Sequence, residues 1–257
     1  MKSQEYIDEI SNWTKNQQMV ISEKKTKAMV INFTEKYQFH PFLKLNGSNI
    51  QVVDKIKILG TTFTEKLSWS ENCDMIVKKV NSRMQLLRKV WSFGASIEEM
   101  VELWKVYCLS VLDQSCVLWG SGLTIENEQD LERTQKTFVK LILQEEFTSY
   151  IEGLEKLSLQ TLILRRKQLT LRFAKRSLAD GHFQDLFRKR KSGHKMKIRN
   201  GNFYEITHAN TDRYKNSPII TMQHLLNEDK KETRKLYNFA VNFSPTVCIY
   251  NCMALSQ

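Results

Sequence analysis

The sequence predicts an α+β fold that is predominantly α-helical. Between residues 69 and 178, apolar side chains recur at steps of three and four residues, as they do on one face of a helix. Between residues 28 and 61 the apolar runs are short and separated by turn signals, which predicts a small antiparallel sheet region. After about residue 181 the periodicity fades. We therefore expect three parts: residues 1–66 (one helix and the small β region), 67–180 (a helical domain) and 181–257 (a basic, partly disordered tail).

The first part begins with a predicted helix over residues 2–19, whose apolar side includes Trp13. The run AMVINF, residues 28–33, is apolar enough for a buried strand. Asn46 and Gly47 predict a tight hairpin turn, because both residues accept a positive φ.

Residues 93–124 predict a single long helix with defined ends. Ser96 and Glu99 have the spacing of a capping box, and Gly120 disfavours continuing the helix. The predicted apolar face consists of Ile97, Met100, Val101, Trp104, Cys108, Val111 and Leu112. A helix this long and apolar is expected to pack on several partners.

Further helices are predicted on both sides of this stretch. The preceding helix has the apolar stripe Ile76, Val80, Met84, Leu87 and Trp91. A helix capped by Thr124 follows, and then a short helix and a longer one over residues 159–178. On this last helix we expect two buried leucine-rich stripes, with an exposed basic ridge of Arg165, Arg172 and Arg176 between them. In the tail, residues 222–226 and 236–243 are predicted as short helices.

Composition excludes several classes of protein. The 257 residues are enough for a real core, and 41% hydrophobic content is ordinary for a globular chain. No signal peptide is recognisable, and no apolar run approaches the roughly 20 residues of a membrane span. The five Cys have irregular spacings that give no disulfide framework. We therefore expect an intracellular protein, nuclear or cytoplasmic and not secreted, with no membrane partner.

The positive charge is concentrated in one segment. Residues 165–199 contain 13 Lys and Arg against two Asp, an excess equal to the net charge of +11 of the whole chain. A basic segment on an otherwise neutral body predicts a binder of polyanions, with a solvated basic tail as the alternative. The run Arg188 to Lys191 also has the composition of a nuclear import signal.

The residues form no catalytic constellation. The sheet region offers only Asp54 and Glu65, whereas nucleotidyl transfer needs close carboxylates that hold two metal ions. The acidic pair Asp8 and Glu9 lies inside a predicted helix rather than on a strand hairpin. There is no glycine-rich phosphate loop, and the five His are scattered. No catalytic residue, metal ligand or cofactor is therefore predicted.

Residues 13–180 contain a series of short motifs in a fixed order. These are Trp13, Lys25-Thr26-Lys27-Ala28-Met29, Lys57-Ile58-Leu59-Gly60, Leu67-Ser68-Trp69, Leu86-Leu87-Arg88, the stretch 93–124, Asp130-Leu131-Glu132-Arg133, Gln135-Lys136, Leu162-x-x-Arg165-Arg166 and Phe173-Ala174-Lys175-Arg176. Together they resemble the region that follows the polymerase palm in reverse transcriptases of non-LTR retrotransposons (LINE, jockey-like). Ser22 departs from the family pattern, which has Asn at that place.

The resemblance implies that the chain corresponds to the palm edge, the thumb and the post-thumb region of an RNA-directed DNA polymerase. The fingers and the metal-binding aspartates would precede Met1, so this chain is expected to be inactive alone. Mg²⁺ is implied only with the missing palm. A thumb holds the template–primer duplex by its backbone, so the implied partner is RNA or DNA, in particular an RNA–DNA hybrid.

Such a role needs cations directed at phosphates rather than at base edges. The predicted contacts are Lys25, Lys27, Lys78, Lys79, Arg83, Arg165, Arg166, Arg172, Arg176, Arg188, Lys189, Arg190 and Lys191. Two alternatives stay open. The chain is either a helical protein-interaction module domesticated from the element, which would self-associate through exposed apolar surface, or a decayed copy without function.

Overall fold

A computed structural model describes residues 2–33, 41–179, 183–190 and 203–242. The predicted class, α+β and predominantly helical, is confirmed. The α-helices of the described residues are α1 (Lys2–Asn16), α2 (Ser70–Ser92), α3 (Ile97–Leu103), α4 (Ser110–Asp113), α5 (Cys116–Trp119), α6 (Ile125–Leu143), α7 (Tyr150–Lys156), α8 (Leu162–Ala179), α9 (Asp212–Lys215) and α10 (Pro218–Asn242). The chain divides into two compact units, Met1–Lys79 and Val80–Gln257, with the division inside α2.

Six short strands lie in the described part of the first unit. They are β1 (Lys27–Ala28), β2 (Lys44–Leu45), β3 (Ser48–Asn49), β4 (Gln51–Val52), β5 (Lys55–Ile58) and β6 (Thr61–Thr64). The pairs β2–β3 and β5–β6 are antiparallel, as predicted, whereas β1 and β4 pair in parallel. The hairpin turn at Asn46 and Gly47 is confirmed, with φ of 49° and 86°. Leu59 and Gly60 form the second tight turn, with φ of 48° and 89°.

The prediction of a buried strand over residues 28–33 is wrong. Only Ala28 belongs to a strand, and Ile31 and Phe33 are 51% and 56% exposed. A strand is buried only where neighbouring strands and a covering layer surround it. In the described part of the chain, β1 pairs with the two-residue strand β4 alone.

Helix α1 packs through its polar side rather than its apolar side. The Gln4 side chain donates to the Lys44 carbonyl and accepts from the Lys44 N–H, both at 2.9 Å, so it extends β2 as a strand would. Ser11 is buried and donates to Asn46 at 3.0 Å. Trp13, on the predicted apolar side, is 57% exposed. The amphipathic pattern correctly predicted the helix but not the face that packs.

In the second unit, the local signals for helix ends are confirmed. Gly94, with φ of 86°, separates α2 from α3. Ser96 and Glu99 form the predicted capping box at the start of α3, through hydrogen bonds of 2.8 and 3.2 Å. Thr124 caps α6 by accepting from the Asn127 N–H at 3.2 Å.

The single long helix predicted over residues 93–124 is interrupted twice. A π-helical turn at Trp104–Leu109 separates α3 from α4, and Ser115, with φ of 54°, separates α4 from α5. The Trp119 indole donates to the Gln114 carbonyl at 3.0 Å, which satisfies one group freed by the second break. The wider π turn shifts the buried face of the helix. Side chains on both sides of the turn are buried, among them Val101 and Val111.

Trp104, at the start of the π-helical turn, is fully buried in the core of the second unit. Its ring stacks on Phe138 of α6, with 4.5 Å between centroids and 12° between planes. Met84 and Leu87, in the part of the predicted α2 stripe that belongs to the second unit, are each 1% exposed. Cys108 and Cys116 are buried as small core residues, and this burial raises the pKa of both thiols to about 11.

The start of α8 is fixed by a carboxylate of α6. Glu132 accepts from the Leu162 N–H at 3.1 and 3.2 Å and from the Tyr150 hydroxyl at 2.5 Å. Burial, and then this bond to Glu132, raise the pKa of Tyr150 far above its ordinary value. Gln135 completes the cluster by donating to the Gln160 carbonyl at 2.9 Å. The negative charge of Glu132 at the N-terminus of α8 also stabilises the helix by interacting favourably with its dipole.

Gly153 allows α7 to lie directly against α6. A Cβ at this position would come within 2.5 Å of Val139 Cγ1 and 3.1 Å of Leu143 Cδ1. Gly153→Ala should therefore lower the free energy of unfolding by about 1–2 kcal/mol, because overpacking outweighs the higher helix propensity of alanine. Urea denaturation measures the change. The exposed Glu155 on the same helix supplies the control Glu155→Ala, and a stabilised Gly153→Ala would contradict the packing described.

Beyond α8, the described residues pack into the second unit through α10. Residues 222–226, predicted as a short helix, belong to the 25-residue α10, which also spans most of the second predicted one, 236–243. A small core forms here from Ala174, Phe187, Tyr204, Met222 and Leu226. Two buried amides one turn apart on α10 hold extended chain against the helix: Asn227 binds the backbone of Phe203 and Tyr204, and Gln223 that of Thr207. Lys191 and residues 243–257 of the predicted tail lie outside the described residues.

Candidate nucleic-acid interface

Four of the predicted phosphate contacts lie on α8, and the structure separates them into two pairs. The buried stripe of the helix runs through Leu162, Arg166, Thr170, Ala174 and Ser177. The two leucine-rich stripes predicted to be buried are in fact partly exposed: Leu164 is 47% and Phe173 43% exposed. Arg166 thus faces inward, contrary to prediction, while Arg172 and Arg176 face solvent.

Arg165 is committed to an ion pair within the protein. Its guanidinium makes a bidentate contact with Asp113, at the end of α4, through Nε at 2.8 Å and Nη2 at 2.6 Å. These hydrogen bonds raise the pKa of Arg165 above its ordinary value. The side chains of Arg165 and Asp113 are 31% and 22% exposed, and the pair ties α8 to the break in the central helix. Arg165 is therefore not part of an exposed ridge.

Arg166 is held in the interior by α6. Its side chain is 8% exposed and lies 3.4 Å from Glu128. The same side chain packs against Gly120, where an added Cβ would lie 3.3 Å from Arg166 Cδ. Arg83 is likewise engaged: it donates to the Tyr107 carbonyl within the π-helical turn, and its guanidinium carbon lies 4.5 Å from the Tyr107 ring centroid. Arg83, Arg165 and Arg166 are thus engaged by groups within the protein, unlike the exposed contacts that the sequence predicted.

The C-terminal half of α8 presents cations to solvent. Arg172 and Arg176 are exposed, and within the described ranges neither has a carboxylate at ion-pair distance. Lys175, between them, pairs with Asp229 of α10 at 2.7 Å. A shallow groove runs along this face, lined by Gln168, Leu171, Arg172, Lys175, Arg176 and Ala179. This face fits a phosphate backbone, which is bound through positive charge without base-specific contacts.

The basic run that begins at Arg188 has a defined backbone conformation. Residues 188–190 pair in antiparallel fashion with residues 203–205, through Arg190 N–H to the Phe203 carbonyl at 3.0 Å and Glu205 N–H to the Arg188 carbonyl at 2.9 Å. All three basic side chains are exposed. The run is thus mounted on the body of the second unit as far as Arg190.

Sequence reasoning missed the cations that α10 and its neighbours contribute. An open groove of about 600 Å³ is lined by the cations Lys167 and Lys215, together with the imidazoles of His208 and His224 and other residues. Lys230, also on α10, lies near the Phe203 ring. These residues are scattered along the chain and come together only through the packing of α10 against α8. No sequence signal would have grouped them.

The first unit carries the four remaining predicted contacts. Lys25 ends a 3₁₀ turn, Lys27 lies in β1, and Lys78 and Lys79 are neighbours on α2. All four are exposed.

Over the described ranges of the chain, no group of three or more His, Cys, Asp and Glu side chains could hold a metal ion. None of the helices described is both long and apolar enough to cross a membrane. Comparison of the chain with models of protein families, with curated proteins and with solved structures finds no match in any of the three.

Proposed function

We propose that this chain is a segment of a non-LTR retrotransposon reverse transcriptase that lacks the catalytic aspartates and binds RNA or DNA without sequence preference. The observation that carries the proposal is the exposure of basic side chains at two places in the second unit, Arg172 and Arg176 on α8 and residues 188–190. The ordered series of motifs in residues 13–180 supports the origin of the chain.

The structure of the interface favours backbone contacts. Its cations lie on an open face and in a shallow groove, where they can meet phosphates along a strand. Base-specific reading needs an element that enters a groove of the nucleic acid and side chains that pair with base edges. Sequence-independent binding of this kind depends on released counterions and is therefore strongly weakened by salt.

Removing two charges from α8 tests the proposal. With a labelled RNA–DNA hybrid and fluorescence anisotropy across a salt series, Arg172→Gln/Arg176→Gln should flatten the slope of log affinity against log salt by roughly 1.4–1.8, which corresponds to two lost contacts. Arg133→Gln/Lys136→Gln removes two exposed cations from α6 and should leave the slope unchanged.

Two results would contradict the proposal. The first is a wild-type protein that does not bind the RNA–DNA hybrid at low salt, and the second is an affinity for the hybrid that salt does not alter. Either result would leave two interpretations of the chain, a protein-interaction module or a decayed copy without function.

A second candidate, a protein-interaction module, is favoured by the exposed side of α1. Tyr6, Ile10 and Trp13 are 61%, 55% and 57% exposed on one helix, an unusual concentration of apolar surface. Light scattering over a range of concentrations should then detect self-association that Tyr6→Ser/Trp13→Ser reduces. A monomer at all concentrations would count against this candidate.

A further inference from the structure

The exposed aromatic ring of Phe203 lies beside the basic residues 188–190, and hydrogen bonds hold its backbone in place. Phe203 is 47% exposed, although its backbone is held firmly. The N–H groups of Phe203 and Tyr204 both donate to the buried amide oxygen of Asn227, each at 2.8 Å. The Tyr204 ring, which is buried, meets the Phe203 ring edge-on, with 5.0 Å between centroids and 78° between planes. The position of the exposed ring is thus fixed from below by the core.

Cations surround this ring. The ammonium groups of Lys189 and Lys230 each lie 6.0 Å from the Phe203 centroid, at the outer limit of a cation–π contact. Arg190 donates its N–H to the Phe203 carbonyl across the antiparallel pair, and side chains directly opposite in such a pair lie on the same face. Both lysine side chains are exposed and only at the edge of contact with the ring, which leaves a flat ligand room to stack on it by displacing one of them.

We infer that Phe203 is a stacking platform for one unpaired base of a single-stranded nucleic acid, with Lys189, Lys230 and Arg190 binding the flanking phosphates. This inference rests on the proposed function and specifies its ligand as a single strand at this place. Every base has a π face, so stacking on an aromatic ring tolerates any sequence, in agreement with backbone binding elsewhere. In a duplex the bases already stack on one another and their faces are covered.

An exposed ring among cations favours a single-stranded nucleic acid over other anions. An acidic peptide or an isolated phosphate would use the three cations but would gain nothing from an exposed ring. A single-stranded nucleic acid uses both, since bases and phosphates alternate along it. The ring is therefore the group whose removal should distinguish these ligands.

The experiment measures the affinity of the full chain for an oligothymidylate and for a blunt duplex by fluorescence anisotropy. Phe203→Ala should lower the affinity for the single strand on the order of 10-fold and leave the affinity for the duplex unchanged. Phe203→Tyr should retain most of the affinity for the single strand. Phe183, which is 48% exposed in the same unit, supplies the matched control Phe183→Ala. In Phe203→Trp, the oligonucleotide should quench the fluorescence that the new indole adds to that of the five native tryptophans, since a base stacked on an indole quenches it.

The outcomes separate this inference from the proposed function. If the wild type binds neither ligand, the proposed function fails and the stacking platform fails with it. If the wild type binds both and Phe203→Ala changes neither, or weakens both equally, the platform is overturned and backbone binding stands. Competition by polyglutamate as effective as that of the oligonucleotide would also overturn it.

Discussion

Replacing Trp104 with alanine is expected to lower the free energy of unfolding of the second unit by about 3–5 kcal/mol. The indole is fully buried and stacked on Phe138 at 4.5 Å. Alanine would leave a cavity between the π-helical turn and α6. Closing this cavity would require the two elements to move toward each other, together with the helices packed on them. Urea denaturation followed by far-ultraviolet circular dichroism measures the loss.

Two further variants show whether the loss of stability in Trp104→Ala comes from the burial of the side chain or from the indole itself. Phe93 is 89% exposed in the same unit, so Phe93→Ala should change the free energy of unfolding by less than about 0.5 kcal/mol. In the described part of the chain, the Trp104 Nε1 has no hydrogen-bond partner. Trp104→Phe keeps a ring on Phe138 and removes this unpaired donor, so it should lose less than half as much as alanine. A Trp104→Ala protein as stable as Phe93→Ala would contradict the position of this core.

Replacing Arg165 with lysine is expected to lower the free energy of unfolding by about 1–2 kcal/mol although the charge is kept. Lysine is a point charge and cannot reproduce the bidentate contact with Asp113. Arg165→Ala removes the partner altogether and should cost about 2–3 kcal/mol, less than a fully buried pair because water still reaches this one. The exposed Arg172 on the same helix provides the control, and Arg172→Lys should leave stability unchanged.

This substitution separates a phosphate contact from an internal ion pair. A phosphate contact at position 165 would let Arg165→Lys keep both stability and affinity, and Arg165→Ala would flatten the salt dependence of binding. The ion pair with Asp113 instead gives a loss of stability and an unchanged salt slope. A double-mutant cycle with Asp113→Ala measures the coupling between the two side chains, and a coupling near zero would refute the pair as a stabilising contact.

The sequence by itself determined the features that depend on neighbours along the chain. The capping box of Ser96 and Glu99 and the hairpin turn at Asn46 and Gly47 form as predicted, because their partners lie within a few residues. The helical class follows from apolar periodicity for the same reason. The concentration of positive charge in residues 165–199 is also a property of the sequence alone.

Only the tertiary structure decided which charges face solvent and which helix faces are buried. Arg165 and Arg176 look equivalent in sequence, but a carboxylate 52 residues away engages only the first. The apolar side of α1 faces solvent because Gln4 finds the open edge of β2, a partner that lies 40 residues along the chain. Phe203 and Lys230 meet because Asn227 binds an extended segment against α10. Contacts across such separations depend on packing, which local patterns do not encode.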